Sequence, residues 1–262
     1  MSATLTHSWF MTWCMSARHL RNLARQPWWI AITLVQPVIW LLLFGAVFKA
    51  TADIPGFAAS SYVDYLTPGI VVMTAAFAGG WAGMGVIEDL NRGVVDRFLV
   101  SPVRRQALIT GRLVQLAIVS VIQSLTVIAL GLLVGARFPG GVTGLAVLMA
   151  CSALLGASLG ALSNGMALLA RKEETVIAAS NFVLLPLTFL SSAFMQRDLI
   201  PGWVQSVARY NPVEWTIQAG REALTASPDW GLVLSRAGLL AALCATCTWL
   251  ATRAFRGYQR SI

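Results

Sequence analysis

Six stretches of this chain, at 28–48, 65–87, 113–135, 143–169, 175–195 and 231–252, each hold enough apolar sequence to cross a lipid bilayer. About 20 apolar residues span a hydrocarbon core of about 30 Å, and these windows take up most of the chain. With 57% of residues hydrophobic and 11% charged, against about 25% charged in a soluble domain, no core is left for a soluble nucleotide-binding fold. The expectation is a single all-α integral membrane domain over 1–262 with six transmembrane helices. The first apolar run exceeds the usual signal-peptide core of about 7–15 residues, so it is read as a span and not a cleaved leader.

The basic residues orient these spans. Arg18, Arg21 and Arg25, five arginines between 88 and 112, Arg171 with Lys172, and Arg253, Arg256 and Arg260 place thirteen of the 19 basic residues on one side. Lys49, Arg137, Arg197, Arg209, Arg221 and Arg236 make six on the other. The positive-inside rule therefore puts both termini in the cytoplasm. The net charge of +8 is a topology signal and not a nucleic-acid footprint. Trp28 and Trp29, Trp230 and Trp249 mark span edges as an aromatic belt does. In the leader, Leu5, Trp9, Trp13, Ala17 and Leu20 share one helical face opposite His19, Arg21, Asn22 and Arg25. Residues 1–27 thus read as an amphipathic interfacial helix on the cytoplasmic leaflet.

What the spans lack excludes several functions. No Asp, Glu, Lys or His falls near mid-depth, whereas proton-driven carriers and charged selectivity rings need such groups. A sodium-coupled carrier built from carbonyls and Asn or Ser groups is the secondary-transport alternative. An enzyme has no buried carboxylate to use as a base, and its histidines, His7 and His19, are both in the leader. A P-loop needs Gly-Lys-Ser/Thr, but Lys49 follows Phe48 and Lys172 follows Arg171. ATP-driven work would require a separate ATPase. Cys14, Cys151, Cys244 and Cys247 form neither a disulfide framework nor a metal site.

Within the spans, Gln36, Gln115, Gln123, Asn164 and Asn181 are read first as interhelical hydrogen-bonding groups. The four-residue spacings Ser152-Gly156-Gly160 and Gly79-Gly83 indicate close helix contact inside the subunit, and Pro37 and Pro186 are expected to kink their helices. Gln36, Trp40, Phe77, Trp81, Asn181 and Phe189 are the candidates for a substrate path.

Two polar segments remain. In the first, 88–112, Val94, Val95, Phe98 and Leu99 share a helical face flanked by Arg92, Asp96 and Arg97. Ser101-Pro102 then suits a helix start that continues through Arg104, Arg105 and Arg112 into the third span. Two short helices continuous with two spans would move both together. In the second, 196–229, Pro201 and Pro212 can each begin a short helix, the latter capped by Asn211. Trp203, Val207, Trp215 and Ile217 supply apolar surface, so both half-helices are expected to dip into the outer leaflet shielded by protein.

Glu88, Arg92-Gly93, Asp96, Leu99, Ser101-Pro102-Val103, Arg104-Arg105 and Gly111-Arg112-Leu113 resemble the ABC type-2 transporter permease family. Leu190-Ser191-Ser192, Leu199-Ile200-Pro201-Gly202-Trp203, Tyr210-Asn211-Pro212 and Arg221-Glu222 are similar to the family's outer segment between spans five and six. Glu88-Asp89 and Ser191-Ser192 depart from the family's usual Glu-Arg and Ser-Gly, which leaves Arg92 as the candidate partner of Glu88. The resemblance implies that 88–112 is a cytoplasmic coupling helix region, with Glu88, Arg92, Asp96, Arg97, Phe98, Ser101, Pro102, Arg104 and Arg105 meeting an ATPase. It implies an outer re-entrant helical hairpin carrying Pro201, Trp203, Asn211, Pro212 and Arg221.

The implied function is the permease subunit of an ATP-driven exporter in the bacterial cytoplasmic membrane, moving an antibiotic, natural product or lipid. Export of polysaccharide or lipo-oligosaccharide is the alternative. The implied partners are two ABC ATP-binding subunits and a second permease subunit as a homodimer. The chain itself holds no cofactor, ATP and Mg being used by the ATPase.

Overall fold

The computed structural model describes residues 27–50, 61–91 and 105–259, with side chains over 33–50, 61–91 and 114–254. The expectations for residues 1–26, and for Arg92, Asp96, Arg97, Phe98, Ser101, Pro102 and Arg104, lie outside the described residues. Regular structure among the described residues is helical throughout: α1 (Pro27–Val47), α2 (Tyr62–Gly80), α3 (Gly83–Asn91), α4 (Arg105–Leu133), α5 (Gly141–Ala170), α6 (Glu173–Phe189), α7 (Gly202–Ala208), α8 (Pro212–Ala223) and α9 (Trp230–Gln259). Four helical stretches are long and apolar enough to cross a membrane: Tyr62–Asn91 taken across its break, Val114–Leu133, Gly141–Ala170 and Trp230–Ala254. Thr33–Val47 is a shorter apolar helix.

The bundle is organised around α5, which packs against α2, α3, α4, α6, α8 and α9. A helix in that position needs small residues, because attraction between apolar helices in lipid comes from close packing and not from expulsion of water. The expected four-residue spacings supply them. A Cβ on Gly79 would collide with the carbonyl oxygen of Gly156, and one on Gly83 with the backbone and hydroxyl of Ser163, while Gly156 faces the Ala75 carbonyl. Gly160 lies against Leu116 of α4. The small residues thus face helices of the same chain, as the spacing suggests.

The second apolar window is not one helix. It breaks at Trp81 and Ala82, where the Ala82 N–H turns back to the Gly79 carbonyl at 3.0 Å and the Met84 N–H to the Trp81 carbonyl at 3.1 Å. The break frees the Gly80 carbonyl, which accepts from the hydroxyls of Ser163 on α5 and Ser180 on α6, while Gly83 N–H donates to Ser163 Oγ at 3.0 Å. Serine hydroxyls on neighbouring helices are what make an interrupted backbone tolerable inside an apolar bundle. The consequence corrects the lever expected from sequence. The 88–112 segment is continuous with all of α4 but, on its other side, only with α3.

The fifth window also ends early. α6 stops at Phe189 and the chain turns through Leu190–Phe194, so the expected helix to residue 195 ends six residues early. α6 begins tightly: Arg171, in the left-handed region at φ 54°, caps α5 and Lys172 is extended before Glu173.

Candidate functional site

Two polar or aromatic constellations stand out, and side chains of α2 contribute to both. Between Tyr65 and Ala82 every residue is buried except Thr74, Phe77, Ala78, Trp81 and Ala82. Their spacing of three and four is one stripe of a helix. α1 and α6 both pack against α2, and this stripe with the aromatic side chains of those helices is the candidate lane. Phe77 and Trp81 meet along it with ring centroids 5.6 Å apart. The Trp81 indole donates to Asn181 Oδ1 on α6 at 3.4 Å.

At one end the lane closes on Phe194. Its ring packs against Trp40 (5.6 Å) and Phe44 (5.3 Å) of α1 and against Phe189 (5.7 Å) of α6. Of the six candidate path residues, Phe77, Trp81 and Asn181 meet in one group, and Trp40 and Phe189 meet on Phe194 in another. Gln36 is exposed on α1. Phe44 and Phe194 are lane residues that sequence reading did not single out.

The second constellation lies just beyond that end. Where α6 stops, its last carbonyls lose their helical partners, and side chains of α2 and α8 take them over one by one. Asn211 Nδ2 donates to the carbonyls of Leu187 and Leu190 (2.6 and 2.9 Å) while its Oδ1 caps α8 by accepting from Val213 N–H (2.9 Å). Tyr65 Oη donates to the Ser192 carbonyl at 2.7 Å, and Tyr62 Oη to that of Phe194 at 2.9 Å.

Arg221 sits at the centre of this clamp. Its Nη1 donates to Tyr65 Oη (2.7 Å), the Ser192 carbonyl (2.8 Å) and Ser192 Oγ (3.2 Å). Its Nη2 donates to the carbonyls of Tyr65 (3.1 Å) and Ala193 (3.2 Å). The guanidinium lies 3.5 Å from the centroid of the Tyr65 ring. A cation at a helix C-terminus complements the partial negative charge gathered there. Glu214, two turns earlier on α8, attracts Arg221 electrostatically and accepts from Ser192 N–H (2.7 Å) and Gln218 Nε2 (2.8 Å).

Glu214 overturns the expectation of no buried carboxylate: it is 1% exposed. The sequence places it in an outside segment, but α8 packs into the bundle against α2, α5 and α9. The two half-helices are also unequal. α8 is largely enclosed, whereas α7 presents Trp203 (65% exposed) and Val207, so shielding by protein holds for α8 alone. Pro201 and Trp203 are exposed on the surface, Pro212 begins α8, and Asn211 and Arg221 face the clamp.

The expected interhelical role of the span amides is met by Asn181. Gln123 Oε1 and both amide atoms of Asn164, buried on α4 and α5, find no hydrogen-bond partner among the described residues. Glu88 is exposed near the end of α3 and Arg105 opens α4. The cysteines Cys151 and Cys247 are buried in apolar clusters.

Several apolar helices long enough to cross a bilayer, packed in one all-helical bundle, mark the chain as a polytopic membrane protein. The chain belongs to the ABC-2 type transporter family, whose profile matches residues 11–225. It is 31% identical over 246 residues to the daunorubicin resistance ABC transporter permease protein DrrB1 of Streptomyces coeruleorubidus, covering 92% of this chain and 83% of that one. It is 22% identical to the probable doxorubicin resistance ABC transporter permease protein DrrC of Mycobacterium tuberculosis, covering 93% and 86%. It is 27% identical to the inner membrane transport permease YadH of Escherichia coli, covering 77% and 78%.

Proposed function

We propose that this chain is the transmembrane subunit of an ATP-driven exporter in a bacterial cytoplasmic membrane, with six spans and both termini cytoplasmic. It works as a homodimer with two separately encoded ATPase subunits. The observation that carries the reading is membership of the ABC-2 family in a chain without a P-loop of its own. The direction and cargo class rest on relatives whose names refer to daunorubicin and doxorubicin resistance. The lane between α1, α2 and α6 suits such a cargo, a planar aromatic amphiphile. Its floor is aromatic, and Asn181 and the Trp81 indole give it polar groups within reach. Pockets that bind such ligands combine apolar walls with few polar groups.

The ATPase docks on the 88–112 segment, and its motion enters through α4, which runs unbroken from Arg105 to Leu133. The chain with its partner ATPase, reconstituted in vesicles, tests this. The permease should raise ATP hydrolysis by the partner and show none alone. Charge reversal at Asp96 or Arg97 should abolish that stimulation and export together. An unchanged rate in both variants would remove the coupling assignment.

The lane is tested separately by Trp81→Ala. This change is expected to lower efflux of a fluorescent anthracycline several-fold while leaving the ATPase's basal rate unaltered. Equal efflux of the anthracycline by Trp81→Ala and the parent would place the cargo elsewhere. Transport of a lipid-linked glycan, and not of the anthracycline, would favour the polysaccharide reading.

A further inference from the structure

The two ends of the ring cluster at Phe194 are held very differently. On one side, the backbone around Phe194 is fixed at nearly every polar atom. Its own carbonyl accepts from Tyr62 Oη, and those of Ser192 and Ala193 accept from Arg221, with Tyr65 also on Ser192. The Ser192 N–H is taken by buried Glu214. The Ala193 backbone is pressed so close to α2 that a Cβ on Gly69 would meet the Ala193 carbonyl at 2.5 Å. Phe194 therefore stands on a post made of α2, α8 and the end of α6.

On the other side, α1 reaches Phe194 through rings alone. Trp40 and Phe44 meet each other edge to face at 5.1 Å and both lie on Phe194, while Phe48 continues the row to Tyr62 at 5.7 Å. Apart from this contact, α1 packs on α2 and α4, and Val35, Ile39, Leu42, Leu43 and Val47 on it are exposed. Separating apolar rings in an apolar medium strands no polar group, and the exposed faces find equivalent contacts with lipid tails or with an apolar ligand. Separating the post would strand several carbonyls and a carboxylate. If one side moves, it is α1.

We propose that Phe194 is the fixed post of an outer gate, and that Trp40 and Phe44 of α1 are the moving leaf that closes against it. This rests on the lane being the transport path. Phe194 is a positioning residue here: it sets where the leaf stops, and Arg221, Glu214 and Tyr62 set where Phe194 stands. At rest the rings seal the lane at its outer end. In the driven state α1 swings away, and the stripe from Thr74 to Trp81 opens outward beside a post that has not moved.

The test uses the full chain with its ATPase partner in sealed vesicles whose outer face is accessible. Cys14, Cys151, Cys244 and Cys247 are replaced by alanine, and a single cysteine is introduced behind the intact rings as Thr74→Cys or as Ala78→Cys or, on exposed α7, as Val207→Cys. A membrane-impermeant maleimide is added from outside, with and without vanadate trapping. Since a minor open state is populated to about 10% or less at rest, trapping should raise labelling at 74 and at 78 by about tenfold or more, with the rate at 207 unchanged.

Because two positions behind the gate are probed, misfolding of one variant leaves the other to decide. Unchanged labelling at both positions, with a partner ATPase that still traps vanadate in a permease-dependent way, overturns the gate and leaves the exporter reading standing. A partner ATPase indifferent to the permease overturns the exporter reading and the gate with it.

Discussion

Replacing Arg221 with alanine is expected to cost the fold about 3–5 kcal/mol, the range for removing one member of a buried charged network. The guanidinium serves the carbonyls of Tyr65, Ser192 and Ala193 together with two hydroxyls. Each acceptor left buried without a donor is worth about 1–3 kcal/mol, and Glu214 loses the cation that attracts it. At about 3 °C per kcal/mol for a chain of this size, the detergent-solubilised protein should melt roughly 10–15 °C lower. Arg221→Lys should recover only part of this, because a point-like ammonium cannot reproduce a planar fork with five donors. Arg221→Ala melting within a degree or two of the parent would show that the clamp is decorative.

The second large effect is expected at the crossing of α2 and α5. Gly79→Leu places a side chain where the Gly156 carbonyl already sits, so the helices must separate over the whole seam from Gly79 to Ser163. Overpacking costs about 1–3 kcal/mol even where neighbours relax, and here the obstacle is backbone. The hydroxyl bonds from Ser163 to the Gly80 carbonyl and Gly83 N–H depend on the same approach. Loss of monodisperse protein after solubilisation is the expected readout. Gly238→Ala is the control: nothing lies within 4 Å of its added Cβ, and alanine is favoured over glycine in a helix by about 1 kcal/mol. It should be neutral or mildly stabilising.

Much of the architecture is legible without coordinates because apolar length and small-residue spacing are one-dimensional signals. Residues 28–48 were expected to be helical and α1 runs Pro27–Val47; 143–169 and α5 agree within two residues at the start and one at the end. Asn211-Pro212 announces the cap of α8, and the glycine spacings announce the α2–α5 seam. The breaks are less legible. Gly79-Gly80 with Gly83 weakens a helix, but only the hydroxyls of Ser163 and Ser180, over 80 residues away in sequence, make the break comfortable. Glu214 was misplaced for a similar reason. A carboxylate between two loops reads as solvated until the bundle closes over it, although Glu214, Ile217 and Arg221 share one helical face that contains a core residue. The lane was half visible: the ring types were chosen, but Phe194 follows the end of a helix whose end the apolar window did not reveal.

The carboxylate and guanidinium on α8 also constrain how the protein is made. At 12 residues, and so about 18 Å long, α8 is too short to cross the membrane unaided. A charged side chain adds about 2.5–3.5 kcal/mol against insertion when near the middle of a lone segment. It cannot enter as an independent hydrophobic unit during synthesis. Its hosts must be waiting: Tyr62 and Tyr65, the Ser192 turn and the face of α5 are all translated earlier, and α9 comes last to cover it. The order of the chain from ribosome to membrane is thus the order in which each docking surface is required, and a circular permutant that delivered α8 before α2 would be expected to stall outside the bilayer.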